Sequence, residues 1–246
     1  MFYFASDVHL GAGDEQQARQ TEQLFVRWLE SVGKDAEAIF LMGDIFDFWF
    51  EYSRVVPKGF VRVLGTLARL SDKGIAIHFF TGNHDMWCRD YFEKECGVKI
   101  HFKAEQISLA GKQLYLAHGD NINIADKPML RLMNTSFRSK FMRAIFSWLV
   151  HPNLALRFGK WWSGKSRKNH NCDNITPESL GFLIEAAKGY KASSPEIDYV
   201  IFGHMHLPHI HQAEDMSIYF LGNWENGKAT YLQMNETGDI ELKSFQ

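Results

Sequence analysis

The chain is poor in several things, and each shortage excludes a class of protein. Its three cysteines, Cys88, Cys96 and Cys172, are scattered with no C-x-x-C spacing. An odd, dispersed set offers neither a disulfide framework nor a zinc finger and suits reduced thiols in a cytosolic protein. No apolar run reaches the ~18 residues that a membrane span needs. The opening Met1-Phe2-Tyr3-Phe4-Ala5-Ser6-Asp7 has no basic region and no small-residue cleavage site, so no secretory signal is expected. There is no internal repeat and no low-complexity tract. An excess of either charge is also missing, with 27 Lys and Arg against 29 Asp and Glu and a net charge of −2. That balance disfavours a nucleic-acid binder, whose domain is usually plainly basic. A cytoplasmic protein is the expectation.

Material for a core is abundant. Of 246 residues, 46% are hydrophobic and 14% aromatic, which excludes a disordered or fibrous chain and fits one domain (1–246) carrying an insertion. Phe2 to Ala5, Ala38 to Met42 and Ile75 to Phe80 are short apolar runs that stop at polar turns. Between them, residues 15–32 and 58–73 repeat apolar side chains at helical spacing, the second closing at Lys73-Gly74. Strand, helix, strand, helix, strand with short links predicts an α/β sheet with right-handed crossovers. Strands near 98–109 and 113–117 are expected to form a hairpin around Gly111-Lys112. Segments near 199–202, 209–213, 217–221, 228–234 and 239–244 predict a β-rich meander. The fold class expected is α+β, with two sheets stacked and helices outside.

One stretch differs from the rest. From Asp126 to His170 there are ten Lys and Arg residues and one acid, together with seven Phe and Trp. Its balance of +9 leaves −11 elsewhere, seventeen basic residues against twenty-eight acidic ones. Pro128, Pro152 and Pro177 punctuate it into helical pieces, as an inserted cap over about 121–176 would be.

Five polar clusters fall where strands are predicted to end: Asp7-Val8-His9, Gly43-Asp44-Ile45-Phe46-Asp47, Gly82-Asn83-His84-Asp85, His118-Gly119-Asp120 and Gly203-His204-Met205-His206. Ligands of open α/β sheets bind beyond the carboxyl ends of strands, so the clusters should converge. Each alone reads as an ordinary turn; five of metal-ligand type in one order do not. Carboxylate and imidazole without thiolate suit a pair of divalent cations such as Mn, Fe or Zn. The alternation in Asp7-x-His9 and His204-x-His206 brings both side chains to one site if the backbone turns after the strand. A carboxylate must bridge two cations only ~3.5–4 Å apart, and Asp44, after Gly43, is the natural bridge.

These clusters, in this order, resemble the calcineurin-like metallophosphoesterase superfamily, with its D-x-H, G-D, G-N-H-[DE], H and G-H-x-H pattern. The resemblance runs from Asp7 to His206 and implies a four-layer α/β/β/α sandwich with a dinuclear centre. It assigns Asp7, His9, Asp44 and His206 to one metal, and Asp44, Asn83, His118 and His204 to the other. In-line attack of an activated water on phosphorus is the implied chemistry. It makes His84 the group that protonates the leaving oxygen or stabilises the transition state, with Asp85 orienting it.

Within the superfamily the chain is similar to the UDP-2,3-diacylglucosamine pyrophosphate hydrolases of lipid A synthesis. The likeness lies in Phe4-Ala5-Ser6-Asp7-Val8-His9-Leu10, in Gly43-Asp44-Ile45-Phe46-Asp47-Phe48-Trp49, and in a helical cap straight after His118-Gly119-Asp120. It implies a cap that holds acyl chains and attack at the α-phosphorus, releasing UMP and 2,3-diacylglucosamine 1-phosphate. The cofactor implied is two divalent cations, manganese foremost. Phe137, Phe141, Phe146, Trp148, Leu149, Trp161 and Trp162 would line the acyl site, and Asn121, Ser163, Lys165 and Ser166 would contact substrate. The basic cap would face the pyrophosphate and an anionic inner-membrane surface, making a peripheral enzyme with no nucleic-acid or protein partner. The best-known hydrolases of this type carry Arg where this chain has His84. The alternatives are a sibling enzyme acting on another nucleotide or phosphodiester, a nuclease, and a metal-binding scaffold without turnover.

Overall fold

The computed structural model of the chain describes residues 1–122, 135, 136, 138–169, 176–227 and 229–246, with 140, 165–169 and 226 by backbone alone. Strands β1 (Phe2–Ala5), β2 (Ala38–Leu41), β3 (Ala76–Phe80) and β4 (Lys99–His101) lie parallel and side by side. β10 (Ala229–Met234) and β11 (Ile240–Phe245) complete this sheet in the order β11-β10-β1-β2-β3-β4. The second sheet runs β5-β6-β7-β9-β8, made of Glu105–Leu109, Lys112–Ala117, Tyr199–Phe202, Ser217–Phe220 and His209–Gln212.

Alternation along β1 shows why its apolar run is continuous. Phe2 and Phe4 enter the core between the sheets, with Phe40, Phe80, Leu114, Leu116 and Ile201. Tyr3 and Ala5 face the opposite way, onto the helices. A strand buried on both faces needs apolar residues at every position. Helix α1 (Glu15–Val32) starts at a capping box between Asp14 and Gln17 and lays Leu24, Phe25, Trp28, Leu29 and Val32 on that outer face. Each such fully buried side chain contributes ~1.5–3 kcal/mol. Helix α2 (Val61–Asp72) lies beside α1, and α3 (Tyr91–Cys96) follows β3. On the far side, α6 (Gly181–Ser193) packs Leu183 and Ala187 against Val200, Phe202, Ile218 and Phe220. The layers are α/β/β/α.

The structure departs from the sequence pattern in three places. Helix α2 begins at Val61 rather than near 58, because Phe60 takes a left-handed φ of 60° and the helix cannot extend back through it. The run 98–109 is two strands, not one: β4 closes the first sheet, and the chain crosses over 102–104 to begin the second at β5. The C-terminal strands are no meander. β10 returns to pair antiparallel with β1, burying Leu232 and Met234 in the core between the sheets.

Two further helices lie between β6 and β7, α4 (Lys140–Leu149) and α5 (Pro152–Asn169). They seat on the body through Ala155, Phe146 and Val150, which meet Phe48, Phe50, Tyr52 and Trp87. Tyr52 Oη donates to the Val150 carbonyl at 2.9 Å. Arg143 Nη1 donates to the Cys88 carbonyl at 2.8 Å, and Arg138 Nη2 pairs with Asp120 Oδ2 at 2.6 Å. Two of the ten basic residues of this stretch therefore tie it to the body. Its aromatics do not all turn inward: Trp148 is 86% exposed and Phe141 72% exposed, with Leu149, Leu154, Phe158 and Trp161 exposed beside them. The expected acyl lining is in large part an outward apolar face, while Phe137 lies outside the described residues. No described helix is long and apolar enough to cross a membrane.

Candidate metal centre

The five polar clusters meet where β1, β2, β3, β6 and β7 end. What turns them inward is an uncommon backbone. Among the described non-glycine residues, seven have positive φ, and five of them are Asp7 (53°), His9 (49°), Asp44 (52°), His204 (70°) and His206 (56°). A left-handed step straight after a strand swings successive side chains to one side, at ~1–3 kcal/mol per residue, and such strain persists only where the surroundings enforce it. Here cross-loop bonds do so. Asp7 N donates to the Gly43 carbonyl at 3.1 Å, His9 N to Asp44 O at 3.0 Å and Gly203 N to His118 O at 3.1 Å. Glycine is required at Gly43, where φ is 94° and a Cβ would stand 2.5 Å from His118 Nδ1. At Gly82 a Cβ would overlap the Asp44 carboxylate.

The donor atoms fall into three overlapping groups: Asp7, His9 and His206; Asp44, His118 and His204; and His9, Asp44 and His84. Within each group the atoms lie within 4.8 Å of one another. His206 Nε2 is 3.2 Å from Asp7 Oδ1 and 3.1 Å from His9 Nε2. His118 Nε2 is 3.3 Å from Asp44 Oδ2. Asn83 adds an amide oxygen. Asp7 Oδ1, Asn83 Oδ1 and His118 Nε2 are buried and lack hydrogen-bond partners, although buried polar atoms are normally satisfied. Bare donors of this kind fit divalent cations.

The opposite edges of these side chains are tied down, which orients the bare ones. Asp7 Oδ2 accepts from Ser6 Oγ and from His204 N, the latter at 2.9 Å. His118 Nδ1 lies 2.8 Å from the Met42 carbonyl, which can only accept, so this nitrogen carries the proton and Nε2 faces the site. Asp44 Oδ1 accepts from His84 N at 2.8 Å, leaving Oδ2 toward the imidazoles. In the protein alone, carboxylates and imidazoles balance one another. Burial opposes the charge on Asp44, but His118, His84 and His9 hold its carboxyl well below the usual range. Burial likewise opposes protonation of His118, yet Asp44 and Asp7 raise it to about 10. His204, desolvated and beside His118, is pushed down to about 4.

Of the residues expected at the site, Asp7, His9, Asp44, Asn83, His118, His204, His206 and His84 are brought together. Asp85 does not orient His84. Its Oδ2 accepts from Ile45 N at 2.8 Å and its Oδ1 from Gly82 N at 2.8 Å, so it staples the β2 and β3 loops. Burial and the Asp44 charge push its carboxyl up to about 7 against the backbone amides that lower it. A carboxylate adjacent in sequence is turned to the other side of the loop, and the neighbour of His84 is Asp47. The Asp47 carbonyl lies 2.8 Å from His84 Nδ1, and its carboxylate 3.8 Å from His9 Nδ1. The sequence pattern gives Asp47 no role of its own, although a second acid three residues after Asp44 is a visible signal.

Ser163 is buried against Asp47 and His84. Asn121 is exposed beside Asp120, to which its amide donates at 3.3 Å. The side chains of Lys165 and Ser166 lie outside the described residues. Two cavities flank the cluster. One of about 710 Å³ opens beside His9 and is lined by Gln17, Gln20, Thr21 and Arg27 of α1. The other, about 720 Å³, adjoins His118 under Arg138 and Arg143.

Known proteins resemble this chain in sequence or in fold. A protein of Porphyromonas gingivalis named UDP-2,3-diacylglucosamine hydrolase is 39% identical over 236 residues, spanning 90% of this chain and 89% of that one. One of the same name from Haemophilus influenzae strain Rd is 29% identical over 242 residues, spanning 97% and 96%. The structure of an archaeal phosphodiesterase covers 99% of both chains with a TM-score of 0.50 at 11% identity, a likeness of fold alone. The model of the family described as calcineurin-like phosphoesterase matches residues 1–208. With its donors gathered at the strand ends of a four-layer sandwich, this chain belongs to the calcineurin-like phosphoesterase family, and it is a metal-binding hydrolase.

Proposed function

We propose that the protein hydrolyses UDP-2,3-diacylglucosamine at the α-phosphorus, releasing UMP and 2,3-diacylglucosamine 1-phosphate. The observation that carries this reading is the placement of an apolar and basic helical insertion against the metal donors, in a chain 39% identical to a protein named for that substrate. Asp7, His9, Asp44 and His206 would hold one divalent cation and Asp44, Asn83, His118 and His204 a second, with manganese the first to test. When bound, such cations neutralise phosphoryl oxygens and lower the pKa of a water.

The chain's own groups do the rest. His84, its Nδ1 proton held toward the Asp47 carbonyl, presents Nε2 to the site 3.9 Å from Asp44 Oδ2. As an imidazolium, with a second proton on Nε2, it donates from there to the phosphate or the leaving oxygen. The two cavities on either side of the cluster suit a substrate whose phosphates join two bulky limbs. Asn121 is among the residues that line the second. With Mn²⁺ and H₂¹⁸O, the purified protein should convert the UDP-lipid to UMP carrying the label, read by mass spectrometry. Turnover of bis-p-nitrophenyl phosphate with the UDP-lipid untouched favours the sibling-enzyme alternative instead.

The segment 121–176 acts in this reading as a lipid-binding cap at the inner-membrane surface. Trp148, Leu149, Leu154 and Trp161 are exposed on α4 and α5, with Arg157 and Lys160 exposed among them. Apolar side chains beside cations match a bilayer interface with anionic lipid. Sedimentation with phosphatidylglycerol vesicles should be salt-sensitive, and Trp148→Glu should weaken it about tenfold, since a buried aromatic contributes ~1.5–3 kcal/mol. Equal binding of the variant would remove the membrane assignment.

A further inference from the structure

We infer that Ser163, on helix α5, is a positioning residue that fixes the His84 ring and so couples the seating of the inserted helices to the chemistry. The inference rests on the role of His84 proposed above and adds the group that enforces it. Helix α5 carries its polarity inside out at this point. Trp161 and Trp162 are 58% and 40% exposed, whereas Ser163 is 1% exposed. A buried hydroxyl is costly unless its hydrogen bonds are made. Ser163 Oγ makes two, to Asp47 Oδ1 at 2.5 Å and with His84 Nδ1 at 2.9 Å.

The donors follow from the acceptors. A carboxylate oxygen accepts, so the Ser163 proton goes to Asp47. The Asp47 carbonyl, 2.8 Å from His84 Nδ1, also accepts, so Nδ1 carries a proton. That proton is shared between the carbonyl and a Ser163 lone pair. The imidazole is held at one edge by two acceptors, and a flip of the ring would forfeit both contacts. Nε2 is thereby kept toward Asp44.

The approach of the helix is built for this contact. Ala155, Gly159 and Ser163 recur at four-residue intervals on one helix face, and all three are buried. A Cβ at Gly159 would run into the Phe48 ring. Phe48 adjoins Asp47 in the chain, so the two small residues let the helix backbone descend onto the loop that carries the acceptor. A hydroxyl so enclosed has no surface for a substrate, which separates this role from direct contact.

The test is a double-mutant cycle on the full-length, metal-loaded protein. Ser163→Ala should lower kcat on UDP-2,3-diacylglucosamine about tenfold, a part of the ~10²–10⁴ that a positioned acid supplies, with KM and metal content unchanged. In the His84→Ala background it should cost nothing further. A raised KM with kcat kept, or losses that multiply, would overturn the assignment. A second readout needs no substrate and stands even if the lipid reading fails. Proton NMR of the Mg²⁺-loaded protein should show a protected His84 Nδ1–H whose solvent exchange is about tenfold faster in Ser163→Ala. An unchanged exchange rate would equally overturn it.

Discussion

Asp44→Ala protein should retain less than two equivalents of Mn²⁺ and lose activity by about a thousandfold or more. Metal content by mass spectrometry and kcat on any accepted phosphodiester check both. Asp44 is 1% exposed, and its Oδ2 is the carboxylate oxygen nearest His118 Nε2, at 3.3 Å. It shares one group of donors with His118 and His204 and another with His9 and His84. Its removal subtracts a negative charge where two cations would repel one another. Losing several kcal/mol of such stabilisation corresponds to about three decades in rate. The side chain also accepts from His84 N at 2.8 Å, so truncation loosens the β3 loop. Asp44→Asn keeps an oxygen for that bond while removing the charge. If Asp44→Ala keeps both ions, the bridging role is refuted.

His84→Ala should lower kcat about a hundredfold while leaving metal content intact. Its ring is 7% exposed and its Nε2 is 3.9 Å from Asp44 Oδ2, close enough to the cluster to address a bound phosphate. Proton donation predicts a graded effect. The loss should be large for an alkyl phosphodiester, whose alkoxide needs a proton to leave, and several-fold smaller for p-nitrophenolate, which like a sugar phosphate (second pKa ~6) departs without one. An equal loss for both leaves transition-state stabilisation as the only role, and an unchanged rate removes His84 from the chemistry. His84→Arg, the residue found in the best-known hydrolases of this type, should recover part of the rate, because guanidinium still donates.

Much of this was legible one segment at a time. The helix predicted over 15–32 is α1 with the same bounds, since a wide apolar stripe and the Asp14 cap act within a few turns. The three apolar runs ending at Asp7, Asp44 and Asn83 are parallel strands β1, β2 and β3. Their clusters converge as expected, because parallel strands joined by right-handed crossovers end on one side of a sheet. Other readings failed where partners are far apart. Nothing local distinguishes β10 from a continuing meander; what places it beside β1 is the space it fills between the sheets. Asp85 and Asp47 were equally near His84 in kind, and only the direction of each loop decided between them. The cap aromatics were expected to offer acyl chains an apolar lining; that most of them are exposed was not legible, because helical spacing does not say whether a face meets the body or solvent.

The sequence by itself determined the elements, the order of the donors and the chemistry they can support. These rest on residue type, period and turn conformation, all set within a few residues. The tertiary structure alone decided which atoms are left bare and which are tied. Hydrogen bonds are directional and short, and those that orient this site join residues far apart, 40 positions from Asp44 to His84 and 116 from Asp47 to Ser163. Partners so distant are selected by how whole layers pack, and no local pattern encodes them.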